Sequence, residues 1–215
     1  MTTDLAFLRL TGILLLSGAV LFWIGAFWPP YKQWTTSDVK EYLSIIHTHK
    51  INWYIIHGFF IAGILITLFA VQLFSQSLQS AGAGKIYSST GSTAFLFGSS
   101  FWIINIAFRL SVTIWAAGQL AEKNILPDSF QTWMNWSNLL FAIYMILAYT
   151  GTGFLGLALK ETSLLPMWVS WLCIVFGFVA VPGYLVRFPF FAPPLMVYLP
   201  LIITAVMILL KTKAG

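Results

Sequence analysis

The feature that most limits the fold of this chain is a set of six long apolar stretches without a single aspartate or glutamate, at about 9–28, 51–75, 93–118, 134–159, 165–184 and 193–210. A helix needs about 20 mainly apolar residues to cross the hydrocarbon core of a bilayer. Within that core each backbone N–H and C=O must find its partner inside the segment, which an α-helix provides. The six stretches predict an all-α, polytopic transmembrane bundle forming one domain over residues 1–215. Charge excludes a water-facing fold. Of the residues, 8% are charged and 59% hydrophobic, whereas soluble domains carry about 25% charged residues. The mean hydropathy of +0.87 agrees.

The ends of the stretches carry stop signals. Trp28-Pro29-Pro30 closes the first, with no small-x-small cleavage site, so it reads as a retained span and not a secretory signal. Trp28, Trp53, Trp115, Trp133, Trp136 and Trp168 fall near predicted ends, where an indole prefers the headgroup level. Pro182-Gly183 ends the fifth span, Pro193-Pro194 opens the sixth, and Pro200 predicts a kink within it.

Between the first two spans, Val39, Tyr42, Leu43 and Ile46 recur at helical spacing after a capping signal at Ser37. They predict a short interfacial amphipathic helix lying on the membrane surface. Glu122–Trp133 suggests a similar segment broken by Pro127, and the Ser- and Gly-rich Gln76–Gly91 reads as a flexible turn.

Orientation rests on basic residues. Arg9, Lys85, Lys160, Lys211 and Lys213 fall on the side of the termini, and Lys32, Lys40, Lys50, Lys123 and Arg187 on the other, an even division. The basic Lys211-Thr212-Lys213 and the longer loops opposite favour both termini being cytoplasmic.

Several apparent motifs dissolve on their context. Gly151-Thr152-Gly153-Phe154-Leu155-Gly156 spells a dinucleotide fingerprint, but within a membrane helix and with no preceding strand. Its small residues suit close helix approach, and no nucleotide cofactor is expected. Gly82-Ala83-Gly84-Lys85 lacks the first glycine and the Ser/Thr of a phosphate loop. The lone Cys173 precludes an intrachain disulfide. The basic residues never form a run, which argues against nucleic acid as a partner.

Two features carry chemistry. His47, His49 and His57, the only histidines, fall close together and are the candidates for a metal or haem site. Arg109 lies well inside the third span, roughly 13 Å of helix from its nearer end. A cation at such depth costs about 2.5–3.5 kcal/mol on insertion scales and faces the bundle interior or a wet cavity. Asn105, and Trp102 beyond it, share its face. His57, Asn138 and Tyr144 enter the second and fourth spans from the same side. A polar pocket lined by His57, Trp102, Asn105, Arg109, Asn138 and Tyr144 is therefore expected. Its guanidinium would suit a lipid phosphate, a haem propionate or a quinone oxygen.

The run from Gly156 to Gly177 has a polar turn followed by Leu165-Pro166-Met167-Trp168. It resembles a segment of uncharacterised bacterial integral membrane proteins, in which such a turn and a Leu-Pro-x-Trp open the fifth helix. Phe108-Arg109-Leu110-Ser111-Val112-Thr113-Ile114-Trp115 is similar to that group as well. The resemblance implies a bacterial six-helix protein of the inner (cytoplasmic) membrane and carries over no catalytic residue. The reading favoured is a non-enzymatic accessory subunit, or a cofactor- or lipid-binding one, with membrane lipids and other membrane protein subunits as partners. The alternative is a redox protein or enzyme subunit using haem or a quinone at a His57/Arg109 pocket. A small-solute transporter ranks behind both, because no discontinuous central helices are evident.

Overall fold

The structure is a computed structural model, described here over residues 5–214. Seven α-helices account for most of it, with no strand among the described residues: α1 (Leu5–Phe27), α2 (Val39–Thr48), α3 (Lys50–Ser80), α4 (Lys85–Lys123), α5 (Phe130–Lys160), α6 (Met167–Leu185) and α7 (Tyr198–Ala214). All but α2 are long and apolar enough to cross a membrane, α7 together with the 3-10 turn Pro194–Val197 that leads into it. The chain is a multi-pass membrane protein.

The spans pack in chain order as a ring: α1 on α3, α3 on α4, α4 on α5, α5 on α6, and α7 back on α1, with α6 against α7 the weakest join. Small residues let the backbones approach. A Cβ at Gly177 of α6 would lie 2.3 Å from the Gly153 nitrogen of α5, and one at Gly151 would lie 2.8 Å from the Gly91 oxygen of α4. The glycines of 151–156 thus serve two neighbouring helices.

Several local expectations are corrected. The Gln76–Gly91 segment is almost wholly helical, since α3 runs to Ser80 and α4 starts at Lys85. Its serines sit within the helices: the hydroxyls of Ser77 and Ser88 donate to carbonyls of their own helices, and Ser75 Oγ, just before the segment, donates across to the Ser88 carbonyl at 3.0 Å. Glu122–Trp133 forms no surface helix. Asn124 stops α4 in the left-handed region at φ 53°, and α5 begins at Phe130. Pro200 makes no mid-helix kink, because it is the third residue of α7, where an N–H would have had no intrahelical partner.

The amphipathic helix between the first spans is present as α2, capped by Asp38, whose side chain accepts from the Lys40 N–H at 3.0 Å. What its apolar face meets differs from the expectation of a helix resting on lipid. Tyr42, Leu43 and Ile46 are buried in a second core with Trp53, Phe108, Ala116, Ala117 and Phe130. The reason is the length of α4. Its 39 residues span about 58 Å, so its last turns run past the hydrocarbon thickness and offer α2 a protein surface. Trp53, in the first turn of α3, is only 1% exposed and is buried in this second core.

Candidate functional site

At the end of the ring opposite the termini the helices surround a cavity of about 440 Å³. Its walls come from Ala26 of α1, Trp34, His57 and Phe60 of α3, Trp102 and Arg109 of α4, Asn138 and Phe141 of α5, and the Ala192–Leu195 segment before α7. Two donors hold that segment over the bundle end. Trp23 Nε1 of α1 donates to the Leu195 carbonyl at 3.2 Å, and the Tyr149 hydroxyl of α5 donates to the Phe191 carbonyl at 3.0 Å. Behind the walls lies an aromatic layer. Phe22 stacks on Tyr198 at 4.3 Å and lies 4.7 Å from Phe60, and Trp102 meets Tyr144 edge-on at 4.4 Å.

Arg109 is half-buried and forms part of the wall. Since α4 continues to Lys123, it lies about 21 Å of helix from the helix end. Its Nε donates to Asn105 Oδ1 at 2.7 Å. Asn105 is wholly buried, and its Nδ2 donates to the backbone oxygen and, at 2.7 Å, to the Oγ of Ser137 on α5. A carbonyl only accepts and a guanidinium only donates, so the amide has one workable orientation. The Nη groups of Arg109 donate no hydrogen bond to, and form no ion pair with, the described residues. Tyr42 of α2 is buried nearby in the second core, against Trp53. Burial pushes its phenol up, and the Arg109 cation draws it part of the way back.

His57 is fully buried in α3, one turn after Trp53. Its Nδ1 lies 2.8 Å from the Trp53 carbonyl, which can only accept, so Nδ1 carries the proton and Nε2 keeps a lone pair. That Nε2 is buried without a hydrogen-bond partner, and so is the Nε1–H of Trp102. Trp53 also ties the two helices together, its Nε1 donating to the Arg109 carbonyl at 3.1 Å.

No family model matches the chain, and neither a search of curated proteins nor one of solved structures finds a significant match. What the site can do follows from its own geometry.

Of the residues singled out in the sequence, His57, Trp102, Arg109 and Asn138 line the cavity. Asn105 and Tyr144 stand behind it, the first holding Arg109 and the second packed on Trp102. His47 and His49 are exposed, on and just after α2. No group of three or more His, Cys, Asp or Glu gathers to hold a metal among the described residues. Sequence reasoning missed Phe60 and Phe141, although each lies three residues after a candidate and so on the same helix face. Trp34 and Ala192–Leu195 had no such signal, because only packing of the connections brings them in.

Proposed function

We propose that this chain is a ligand-binding membrane protein, without chemistry of its own, that holds the polar head of an amphiphilic molecule in the cavity beside Arg109. The observation that carries this reading is the guanidinium itself. Its Nε is fixed by Asn105 while its Nη groups are left without a partner among the described residues, in a wall otherwise made largely of apolar residues, four of them Trp or Phe. A cation placed at such cost is retained where something binds it, and two free N–H edges suit an oxygen acceptor. The aromatic and proline lining suits an apolar body next to that head. In this reading the protein serves as an accessory or cofactor- or lipid-binding component of a larger assembly in a bacterial inner membrane, with both termini on the cytoplasmic side.

The test is to purify the protein in mild detergent, extract it with organic solvent and identify retained molecules by mass spectrometry. A stoichiometric amphiphile that disappears in a folded Arg109→Leu variant is expected. Retention of every ligand by that variant, or no ligand in the wild type, refutes the reading.

A second reading, haem ligated through His57, is favoured by the free Nε2. Histidines that bind metals commonly donate their other ring N–H to a carbonyl, as His57 does to Trp53. A Soret band in the purified protein, lost in His57→Phe, would establish it. A featureless visible spectrum removes it.

A further inference from the structure

The cavity is polar at one level and apolar at another, and that order narrows the kind of amphiphile, on the reading that one is held beside Arg109. Going inward from the end opposite the termini, α4 presents Arg109 and then, about 10 Å deeper, Trp102. In the same order α5 presents Asn138 and then Phe141, and α3 presents Phe60 one turn below the buried His57. The three deeper rings meet as a floor. Trp102 lies 4.9 Å from Phe141 and 6.0 Å from Phe60 between ring centroids, and Phe22 of α1 backs it at 5.6 Å.

The outer level is polar and open. The bonds from Arg109 to Asn105 and from Asn105 to Ser137 set Asn138, the next residue of α5, at the level of the guanidinium. Asn138 and Trp34 line the cavity and are exposed, so its mouth is here. The Nε2 of His57 and the Nε1 of Trp102 have essentially no accessible surface. The polar side chains that a head reaches with the walls in place are therefore Arg109, Asn138 and Trp34. They offer two Nη groups, an amide nitrogen and an indole N–H as donors, against a single amide oxygen as acceptor. Among the described residues no carboxylate answers the guanidinium, the one ion pair being Lys32 with Glu41. A half-buried cation in a donor-rich mouth is matched by an anionic oxygen head through charge-assisted bonds. Benzene fills a cavity of about 150 Å³, so about 440 Å³ holds about 17 non-hydrogen atoms. That is room for one chain with a small head, and far too little for a two-chain lipid.

We propose that the cavity binds a single-chain anionic amphiphile of the fatty-acid kind, its head on Arg109 and Asn138 at the mouth and its tail directed inward onto Phe60, Trp102 and Phe141. The oxygens of the head take the Nη groups and the Asn138 amide hydrogens, and the chain covers aromatic surface below them. A membrane lipid held by its headgroup would lie the other way, with its chains outside the bundle.

The probe is decanoate carrying a photoreactive diazirine at its methyl end, added to the full-length protein in nanodiscs of phosphatidylcholine, which has no net charge. After illumination the labelled residues are mapped by mass spectrometry. Label is expected on the floor, at Phe60, Trp102 or Phe141, and excess decanoate should suppress it. Decanol should suppress it about tenfold less well or worse, and Arg109→Leu should weaken labelling by a similar factor. The comparison of decanoate with decanol needs only the wild type, so it stands should the variant fold poorly. Label confined to the lipid-facing surface, label at residues 31–36 or 192–195 in place of the floor, or decanol competing as well as decanoate overturns the inference. So does loss of the label when the nanodiscs are doped with phosphatidylglycerol, which would assign the guanidinium to a lipid headgroup. Organic extraction of the purified protein separates the two levels. If another amphiphile is retained and Arg109→Leu loses it while the probe leaves the floor unlabelled, only the single-chain assignment fails. If nothing is retained and the probe does not label, the binding reading fails with it.

Discussion

Asn105 joins three groups that no other side chain links, so its loss should reach further than that of an ordinary polar residue. Replacing it with leucine removes the two bonds to Ser137 that tie α4 to α5. Interhelical hydrogen bonds in membrane proteins average about 0.6 kcal/mol, so together these contribute roughly 1 kcal/mol. The same change leaves the Arg109 Nε–H without an acceptor in a partly buried site, at a further cost of about 1–2 kcal/mol. Asn105→Leu should therefore destabilise by about 2–3 kcal/mol. Arg109→Leu should cost far less. It keeps the Ser137 bonds and removes a cation whose placement in a span costs about 2.5–3.5 kcal/mol, against one unpaired amide oxygen. In the double variant only the Ser137 bonds are lost, so the damage should fall short of the sum by about 1–2 kcal/mol. The assay is equilibrium unfolding of the four proteins in mixed micelles with rising SDS, followed by tryptophan fluorescence. Additivity within about 0.5 kcal/mol would show that Asn105 does not hold the guanidinium, and the account of the site would have to be abandoned.

Two further outcomes follow from the packing and the loops. A Cβ at Gly177 would press on the Gly153 backbone nitrogen and Cα at 2.3 and 2.5 Å. Backbone cannot rotate aside, so Gly177→Ala should force α6 from α5 at a cost of about 1–3 kcal/mol. At Gly118 a Cβ meets nothing within 4 Å, so Gly118→Ala should be neutral or gain up to about 1 kcal/mol in helix propensity; equal thermal midpoints for the two variants would refute the close-approach account. In the first connection Glu41 pairs with Lys32 and accepts from Thr36, and these partners hold its carboxyl below the ordinary 4.5. A lowered carboxylate pKa means the ordering is present above the unfolded value and is lost as pH falls through the lower folded one. The hydrogen-exchange protection factors over residues 31–48, corrected for the intrinsic pH dependence of exchange, should therefore fall on acidification below about 4.5 in the wild type, and Lys32→Ala should flatten the profile. A connection as well protected at pH 3 as at pH 6 would contradict this.

What was legible in the sequence follows from the solvent. The bilayer core demands long apolar segments with internally satisfied backbones, so the six spans, and the helix between the first two, could be read from residue types alone. The depth of Arg109 was readable for the same reason, because a charge is conspicuous where hydrocarbon surrounds it. The helix ends were less legible. Ser and Gly between Gln76 and Gly91 look like a turn on composition, yet small polar side chains also sit well between closely packed helices, and neighbours decided which use prevailed.

The sequence by itself determined that this is a six-span bundle with one deep arginine and one histidine inside a span. It could not say which of the aligned polar residues touch. That Asn105 serves as the bracket for Arg109 and not as a wall of the cavity depends on Ser137 arriving from α5 to take its amide hydrogens. That His57 presents a bare Nε2 depends on the Trp53 carbonyl taking the other nitrogen. That there is a cavity at all depends on Trp34, packed against Trp53 and Phe60, and on Ala192–Leu195, in a connection pinned through Trp23 and Tyr149. Periodicity along one helix reports which residues share a face. Which faces meet, and what space they leave, is set only when all six spans close around one axis.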